Sequence, residues 1–316
     1  MNLSDFKLTA ADFDIFGRGL QRAECVWIDA DGVWVSDVRG GVARVHADRD
    51  PDLVGTGIAE PNGFSRRPDG SFVVAGLADG ALHQIAPGGA TRILADRVDG
   101  KPLGTVNYAC ADGPDRIWVS VMTRALPWHA AMTEPRRDGY ILRVEADGAR
   151  CAIVADGLDL TNEVKVSPDG EFLYAAETFG NRISRFAIKA DGSLGPRETF
   201  GPDSLGRGAF PDGITFDPFG NLWLTTICQN GLSAIDKTGG LHVVYVDPVA
   251  DAVEAIADSV AKRTGTLEQL GACASPDGPL KLPTSIAFGG PDGRTGFVGN
   301  LLSPHLPTFR LPEYLD

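Results

Sequence analysis

A two-strand pattern recurs six times along the chain, and it constrains the possible fold more than any other feature of the sequence. The clearest copy, residues 210–225, opens on polar Asp212, continues as an alternating apolar strand, turns at Pro-Phe-Gly and ends in a second strand around Trp223. In each copy the opening polar residue lies about ten to twelve positions before the centre of the second strand, the length of one strand and one turn. The other five copies occupy residues 24–34, 62–73, 107–118, 162–174 and 285–297.

Further strands follow each copy. Third segments with apolar–polar alternation occupy residues 41–45, 81–85, 140–144, 182–186, 232–235 and 306–310, and fourth segments occupy 91–94, 151–154 and 242–245. Six repeats of four strands are typical of a propeller, in which blades bury their faces against one another. The 39 glycines and 21 prolines suit the many tight turns. We therefore predict an all-β, six-bladed β-propeller with four-stranded antiparallel blades, formed by residues 1–316 as one domain.

Residues 247–282 break the repeat between blades five and six. Asp247 is placed to cap a helix, Pro248 suits its first position and Gly265 its end. One face of this helix carries, at helical spacing, Val249, Val253, Ile256 and Val260. The pattern predicts an amphipathic helix of about four turns. Packing on the propeller rim is the first interpretation, and a lid over the channel or a contact in a homodimer are the alternatives.

A second irregular segment, residues 124–137, separates the second and third strands of blade three and is too long for a hairpin turn. It places Arg124, Trp128 and His129 where they could contact a substrate. The imidazole of His129 could also act as a base, because histidine titrates near neutral pH, although loop histidines are commonly just exposed.

Charge and cysteine content narrow the class of protein. The formal net charge of −13 is spread along the chain, which argues against nucleic acid and anionic membrane as partners. The five cysteines are widely spaced without a CxxC motif, as expected for free thiols in a reducing compartment. The N-terminal residues resemble no secretory signal, and no apolar run approaches the roughly twenty residues of a membrane span. We expect a cytoplasmic protein.

The polar residues that open the six copies should meet in space. The innermost strand of each propeller blade lines the central channel, so its first residues converge at one mouth. Two carboxylates in a narrow funnel would repel each other unless a divalent cation neutralised them, and every side chain in this set carries oxygen. The alternative is that these residues cap turns and bond the backbone. The set consists of Glu24, Asn62, Asn107, Asn162, Asp212 and Ser285.

These residues carry a resemblance to the SMP-30/gluconolactonase/LRE-like family, six-bladed propellers that hydrolyse sugar lactones with a divalent metal. Residues 211–213 (Pro-Asp-Gly) and 287–290 (Ala-Phe-Gly-Gly) are similar to motifs of that family, and the resemblance extends from Glu24 to the C-terminal strand. It implies that Glu24, Asn162 and Asp212 bind the metal and that Asn107 lies beside the substrate. The chain departs from the family where Cys-Val-Trp follows Glu24 and where Asn162 lies in Thr-Asn-Glu. These departures indicate an altered pocket.

The resemblance implies a metal-dependent lactonase or related carboxylic ester hydrolase. Water would attack the carbonyl with the help of the cation, Asp212 would act as the catalytic base, and Glu24 would act mainly through its charge. Asn107 would orient the substrate oxygen, with Asn62 as a second candidate for that role. Oxygen ligands suit Ca²⁺, Mg²⁺ or Mn²⁺, and Zn²⁺ is tolerated in such sites.

Other functions are compatible with the same pattern. One is a phosphotriesterase or arylesterase, or a non-hydrolytic enzyme like the strictosidine-synthase-like relatives of this scaffold. The other is a calcium-binding or protein-interaction propeller without turnover. A substrate panel tested with and without a chelator separates these alternatives.

Overall fold

The computed structural model describes residues 1–134 and 137–315, and within these it contains six four-stranded antiparallel sheets. In chain order, the strands up to the end of the third blade are β1 (Asp14–Phe16), β2 (Val26–Asp29), β3 (Gly32–Asp37), β4 (Gly41–Val45), β5 (Asp52–Val54), β6 (Pro61–Arg66), β7 (Phe72–Gly76), β8 (Ala81–Ile85), β9 (Thr91–Ala95), β10 (Arg97–Val98), β11 (Lys101–Pro102), β12 (Thr105–Asp112), β13 (Arg116–Thr123), β14 (Gly139–Glu145) and β15 (Cys151–Leu158). The later strands are β16 (Thr161–Val166), β17 (Phe172–Glu177), β18 (Arg182–Ala187), β19 (Glu198–Phe200), β20 (Pro211–Phe216), β21 (Leu222–Thr226), β22 (Gly231–Ile235), β23 (Leu241–Tyr245), β24 (Pro283–Gly289), β25 (Thr295–Asn300) and β26 (Leu306–Arg310).

These strands form a closed six-bladed propeller, as predicted. Blades one to five are β2–β5, β6–β9, β12–β15, β16–β19 and β20–β23, and β10 with β11 forms a separate small hairpin. The innermost strands are β2, β6, β12, β16, β20 and β24, and each contacts the next around the ring, including β24 with β2. The ring of innermost strands therefore surrounds a central channel.

Blade six is completed by the N-terminus of the chain. Strand β1 pairs antiparallel with β26, with Ile15 opposite Pro307, so the sheet order is β1-β26-β25-β24. The residues before β1 add to this closure, because Leu3 and Phe6 are buried in the same apolar cluster as Trp223 of blade five. This pairing joins the first and last parts of the chain, and the repeat pattern did not predict it.

Buried tryptophans fix the hairpins between the first and second strands of several blades. The indole Nε1 of Trp223 donates to Asp217 over 2.9 Å, and that of Trp118 donates to Asp112 over 2.8 Å. Both indoles are fully buried, so their N–H groups need a partner inside the protein. Each aspartate therefore connects the end of the first strand to the buried tryptophan of the second strand.

The segment between blades five and six contains two helices, α1 (Ala250–Lys262) and α2 (Leu267–Ala272). The predicted cap was wrong: Val249 precedes the first turn without a side-chain bond, and the Asp247 carboxylate instead accepts a hydrogen bond from Ser275. Helix α1 ends at Lys262 and is followed by Arg263, whose φ of 59° is left-handed, two residues before Gly265. The predicted apolar face is otherwise confirmed: buried on α1 are Val253, Ile256, Ala257 and Val260.

Four 3₁₀ helices occur among the described residues, at Leu3–Asp5, Ala10–Asp12, Trp128–Met132 and Ile227–Gln229. The third of these lies in the long segment of blade three, and Pro135 and Arg136 of that segment lie outside the described residues. Within the described ranges, none of the helices has both the length and the apolar character to cross a bilayer.

Candidate active site

The openings of the innermost strands converge on one cavity. Five of the six predicted polar residues line it, namely Glu24, Asn62, Asn107, Asn162 and Asp212. All five are buried; the least covered, Asp212, is only 6 % exposed. Residues that lie far apart in sequence are thereby brought together at one mouth of the channel.

The sixth predicted residue, Ser285, does not line this cavity, and the preceding Thr284 does. Strand pairing explains the shift, because β24 has a bulge after Pro283 in the same place as the bulges that follow Pro61 and Pro211. The equivalent of Asn62 and Asp212 in blade six is therefore residue 284. The Ser285 hydroxyl lies one position further along, where it accepts a hydrogen bond from the backbone N–H of Val26 over 3.3 Å.

Four buried oxygen atoms of the cavity residues have no hydrogen-bond partner in the described structure: Glu24 Oε2, Asn107 Oδ1, Asn162 Oδ1 and Asp212 Oδ1. A buried polar atom without a partner costs about 1–3 kcal/mol, so four in one cavity indicate that something binds there. The amide nitrogen of Asn162 is engaged by the Thr178 hydroxyl over 3.2 Å, which leaves its oxygen as the free atom.

The donor set fits a hard cation. It contains two carboxylates and two amide oxygens, and oxygen ligands of this kind hold Ca²⁺, Mg²⁺ or Mn²⁺. Across the described part of the chain there is no group of three or more His, Cys, Asp and Glu side chains placed to hold a metal ion. Among the described residues, the lining of this cavity includes no histidine and one cysteine, Cys228, so the nitrogen and sulfur ligands that zinc prefers are few here.

The two carboxyl groups influence each other strongly. Burial raises the pKa of Glu24 to about 8; nearby Arg22 acts to lower it and Glu163 to raise it further. Burial, followed by the charges of Glu24 and Glu163, raises the pKa of Asp212 well above its ordinary value. Without a positive charge between them, both carboxyls tend to hold protons at neutral pH.

Arg22 is a cavity residue that the sequence pattern missed. Its guanidinium donates to the carbonyl of Pro61 over 3.2 Å and to Oδ1 of Asn62 over 2.9 Å. The backbone at Arg22 is left-handed, with φ of 55°, and its carbonyl accepts from the N–H of Glu24 two residues on. The pattern of opening residues does not include Arg22, whose long side chain starts two positions before Glu24 and extends across to the next blade.

Glu163 is a second missed residue. It occupies the position held by Gly63 and Gly213 in blades two and five, and its Oε2 accepts from the N–H of Ile214 over 2.9 Å. Its other oxygen has no partner, and burial raises the pKa of Glu163 to about 7, with Lys165 acting in the opposite direction. A carboxylate in place of a repeated glycine is the sequence signal that could have identified it.

Of the three residues predicted in the long segment of blade three, only Trp128 lines the cavity. Arg124 is held elsewhere, paired with Asp156 over 2.9 Å and stacked 4.5 Å from the ring centre of Tyr140. His129 is exposed, with its ring centre 6.2 Å from that of Trp128. The structure therefore does not bring Arg124 or His129 to the polar cavity.

The inserted helices cover the same cavity. Ile256 and Val260 of α1 and Leu270 of α2 line it together with Glu24 and Asp212. The helices therefore lie over the mouth of the channel, where α1 also packs on propeller residues such as Phe210.

Comparison with known proteins agrees with this architecture. Residues 23–257 match the sequence model described as the SMP-30/Gluconolactonase/LRE-like region. A 6-deoxy-6-sulfogluconolactonase of Pseudomonas putida is 26% identical over 279 residues, 87% of this chain and 81% of its own length. A pentonolactonase of Haloferax volcanii is 29% identical over 157 residues, 49% of this chain and 42% of its own. The solved structure of a gluconolactonase from Xanthomonas campestris superposes with a TM-score of 0.65 at 21% identity, covering 98% of this chain and 89% of that one.

Proposed function

Because the chain belongs to the SMP-30/gluconolactonase/LRE-like family, we propose that it is a divalent-cation-dependent lactonase that opens a cyclic ester inside the propeller channel. The observation that carries the proposal is the set of four partnerless oxygen atoms in one buried cavity. The similarity to a sulfogluconolactonase and a pentonolactonase supports the same class of substrate.

In this proposal Glu24, Asn162 and Asp212 hold the cation. Each contributes one of the partnerless oxygens, and the two carboxylates supply the negative charge that a divalent ion needs. When bound, such an ion polarises a carbonyl group and lowers the pKa of water. Ca²⁺, Mg²⁺ and Mn²⁺ are the ions that this oxygen-rich set favours.

Asp212 is the proposed catalytic base. The oxygen of a water molecule forms a bond to the carbonyl carbon while Asp212 takes a proton from that water. The ring C–O bond then breaks, the proton returns to the departing ring oxygen, and the product is a hydroxy acid. Asp212 suits this role because a carboxylate that binds the cation through one oxygen can keep a hydrogen bond to the attacking water through the other, and because its burial increases its affinity for a proton.

The neighbouring residues have supporting roles. Glu24 uses Oε1 to accept from Asn62 and therefore contributes charge and position rather than proton transfer. The side chain of Asn62 is already bonded to Glu24, Arg22 and the carbonyl of Asn107, so we assign it the positioning of Glu24 rather than contact with substrate. Asn107, with a free Oδ1, remains the proposed contact for the substrate.

Hydrolysis of a panel of lactones, aryl esters and phosphotriesters, with each metal and with a chelator, tests the proposal. We expect lactone turnover that a chelator abolishes, and loss of both turnover and tight cation binding in Asp212→Ala. The matched control is Asp203→Ala, which removes an exposed carboxylate outside the cavity. Full lactone turnover by Asp212→Ala, or turnover that ignores the chelator, contradicts the proposal; cation binding without any hydrolysis points to a non-catalytic propeller.

A further inference from the structure

The cavity under the inserted helices is lined by polar residues from the propeller and by mostly apolar residues from the segments that cover it. The polar lining comes from the openings of the innermost strands and the residues beside them, at the channel end. Within the described part of the chain, the insertion and the blade-three segment add to the lining five hydrophobic side chains whose one polar group is the indole N–H of Trp128: Trp128, Met132, Ile256, Val260 and Leu270. A substrate with its carbonyl at the channel end therefore places its remaining atoms against hydrocarbon.

Two hydroxyl groups and part of one guanidinium in the cavity lining are already engaged. The Thr178 hydroxyl donates to the carbonyl of Pro211 over 2.8 Å, and the Thr284 hydroxyl donates to the carbonyl of Glu24 over 2.7 Å. Arg22 is bonded to Pro61 and Asn62, and the four partnerless oxygens are those that the proposed function assigns to the cation and to catalysis. Little hydrogen-bonding capacity is left for the hydroxyl groups of a sugar ring.

The inserted helices that cover the cavity are anchored to the propeller. The fully buried side chain of Asn230 donates to the carbonyls of Asp247 and Cys273, over 3.1 and 2.7 Å, and accepts from the N–H of Leu282 over 3.0 Å. One blade-five residue thus fixes both ends of the insertion. Buried residues of α1 also share an apolar cluster with Phe210 of the propeller.

We propose that the site takes a lactone carrying an alkyl or aryl substituent, and discriminates against polyhydroxylated sugar lactones. This inference rests on the proposed lactonase function and narrows its substrate class. The physical reason is that a sugar hydroxyl brought under the cover loses its bonds to water and finds no partner, whereas an alkyl group gains from leaving water. Ile256 and Leu270 are the residues that determine this specificity from above the ring.

A graded substrate series tests the inference. The ratio kcat/KM is measured with cation-loaded protein for γ-butyrolactone, for its γ-methyl, γ-propyl and γ-pentyl derivatives, and for D-glucono-1,5-lactone. We expect kcat/KM to rise about fourfold for each of the first methylenes that become buried. The glucono-lactone is expected to fall below the unsubstituted ring. A glucono-lactone that is hydrolysed as well as the pentyl derivative overturns the inference while leaving the lactonase proposal intact. Absence of turnover on every lactone overturns both.

Two substitutions in the inserted helices test which residues cause the dependence of kcat/KM on chain length. Ile256→Ser and, at a half-buried position that tolerates change more easily, Leu270→Ser should reduce the dependence of kcat/KM on chain length. The control is Ile93→Ser, because Ile93 lies on the outer strand of blade two and is 56% exposed. The ratio between two substrates does not depend on the fraction of active protein, so partial unfolding of Ile256→Ser does not disturb it. Retention of the full chain-length dependence in Leu270→Ser and Ile256→Ser contradicts the assignment.

Discussion

The side-chain amide of Asn62 donates to Oε1 of Glu24 over 3.0 Å, and the second oxygen of that carboxylate is left without a partner. The same amide nitrogen also bonds the carbonyl of Asn107, while its oxygen accepts from Arg22 over 2.9 Å. Asn62 is thus held from both sides by neighbouring blades. It fixes which oxygen of Glu24 is free to face a cation.

Removal of this amide should weaken the proposed cation site without removing a ligand. In Asn62→Ala we expect cation affinity to fall roughly 10–100-fold, as is typical when a group that orients a ligand is lost. Isothermal titration with Ca²⁺ and Mn²⁺ measures it. The control is Gln84→Ala, which removes an amide from the same blade away from the cavity. Unchanged affinity in Asn62→Ala would show that Glu24 needs no orientation by its neighbour.

Asp212→Asn should separate stability from activity. In the metal-free protein this change removes a buried carboxyl that must take up a proton on folding at this pH, so we expect the free energy of unfolding at pH 8 to increase by about 1–3 kcal/mol. Lactone turnover should be lost, since the base and the negative charge of a proposed ligand are gone. Urea denaturation in chelator and a lactone assay measure the two effects. Lower stability of the chelated variant would contradict the electrostatic reasoning.

The pH dependence of the metal-free protein follows from the raised pKa of Glu24. Below about pH 4.5 the group is protonated in both states; between pH 4.5 and 8 the unfolded chain releases the proton while the folded protein keeps it. The free energy of unfolding should therefore decrease over this range. Stabilisation by an added cation should increase over the same range, because the cation competes with the proton. Melting temperatures with chelator and with cation, compared between the native chain and Glu24→Gln, measure both trends. A pH profile that Glu24→Gln leaves unchanged would assign the dependence to other groups.

Most of the blade structure could be predicted because its signals are local. Alternation of apolar and polar residues with Pro/Gly turns located the third strand of every blade, including Ala81–Ile85 and Leu306–Arg310 at their observed bounds. The amphipathic face of α1 was also predicted from spacing alone. The spacing did not predict that α1 covers the mouth of the channel, because its position depends on how residues 247–282 return across the propeller.

The sequence predictions failed where the position of a residue depends on pairing between segments that are distant in sequence. The position of Thr284 rather than Ser285 at the cavity depends on a bulge in β24, which two adjacent hydroxyl residues do not reveal. The direction of long side chains is equally hidden, so Arg22 was missed and Arg124 was placed wrongly near the cavity. The roles of Glu24, Asn162 and Asp212 as ligands stay predictions, supported by their burial and their partnerless oxygens.

The turn of blade five offers a test of stability that leaves the cavity untouched. The Asp217 carboxylate accepts from the N–H groups of Phe219 and Asn221, from the Asn221 amide and from the Trp223 indole, at 2.9–3.0 Å. Asp217→Ala leaves several buried donors unsatisfied, so we expect a loss of about 2–4 kcal/mol in the free energy of unfolding. Urea denaturation measures it, with the exposed Asp203→Ala expected to stay within about 0.5 kcal/mol of the native chain. A loss below 1 kcal/mol would mean that water replaces the carboxylate.

The closure of blade six by the N-terminus predicts that residues before β1 contribute to the stability of the whole propeller. Leu3 is only 1% exposed and packs in the cluster that contains Trp223 and Phe309, so Leu3→Ala creates a cavity in that cluster. We expect the free energy of unfolding to fall by about 2–5 kcal/mol, the range for buried leucine. Ile15→Ala is the matched control, because Ile15 lies in β1 but is 68% exposed, and its loss should cost less than about 0.5 kcal/mol. Equal, small effects of the two changes in thermal and urea unfolding would show that the N-terminal segment does not close the ring.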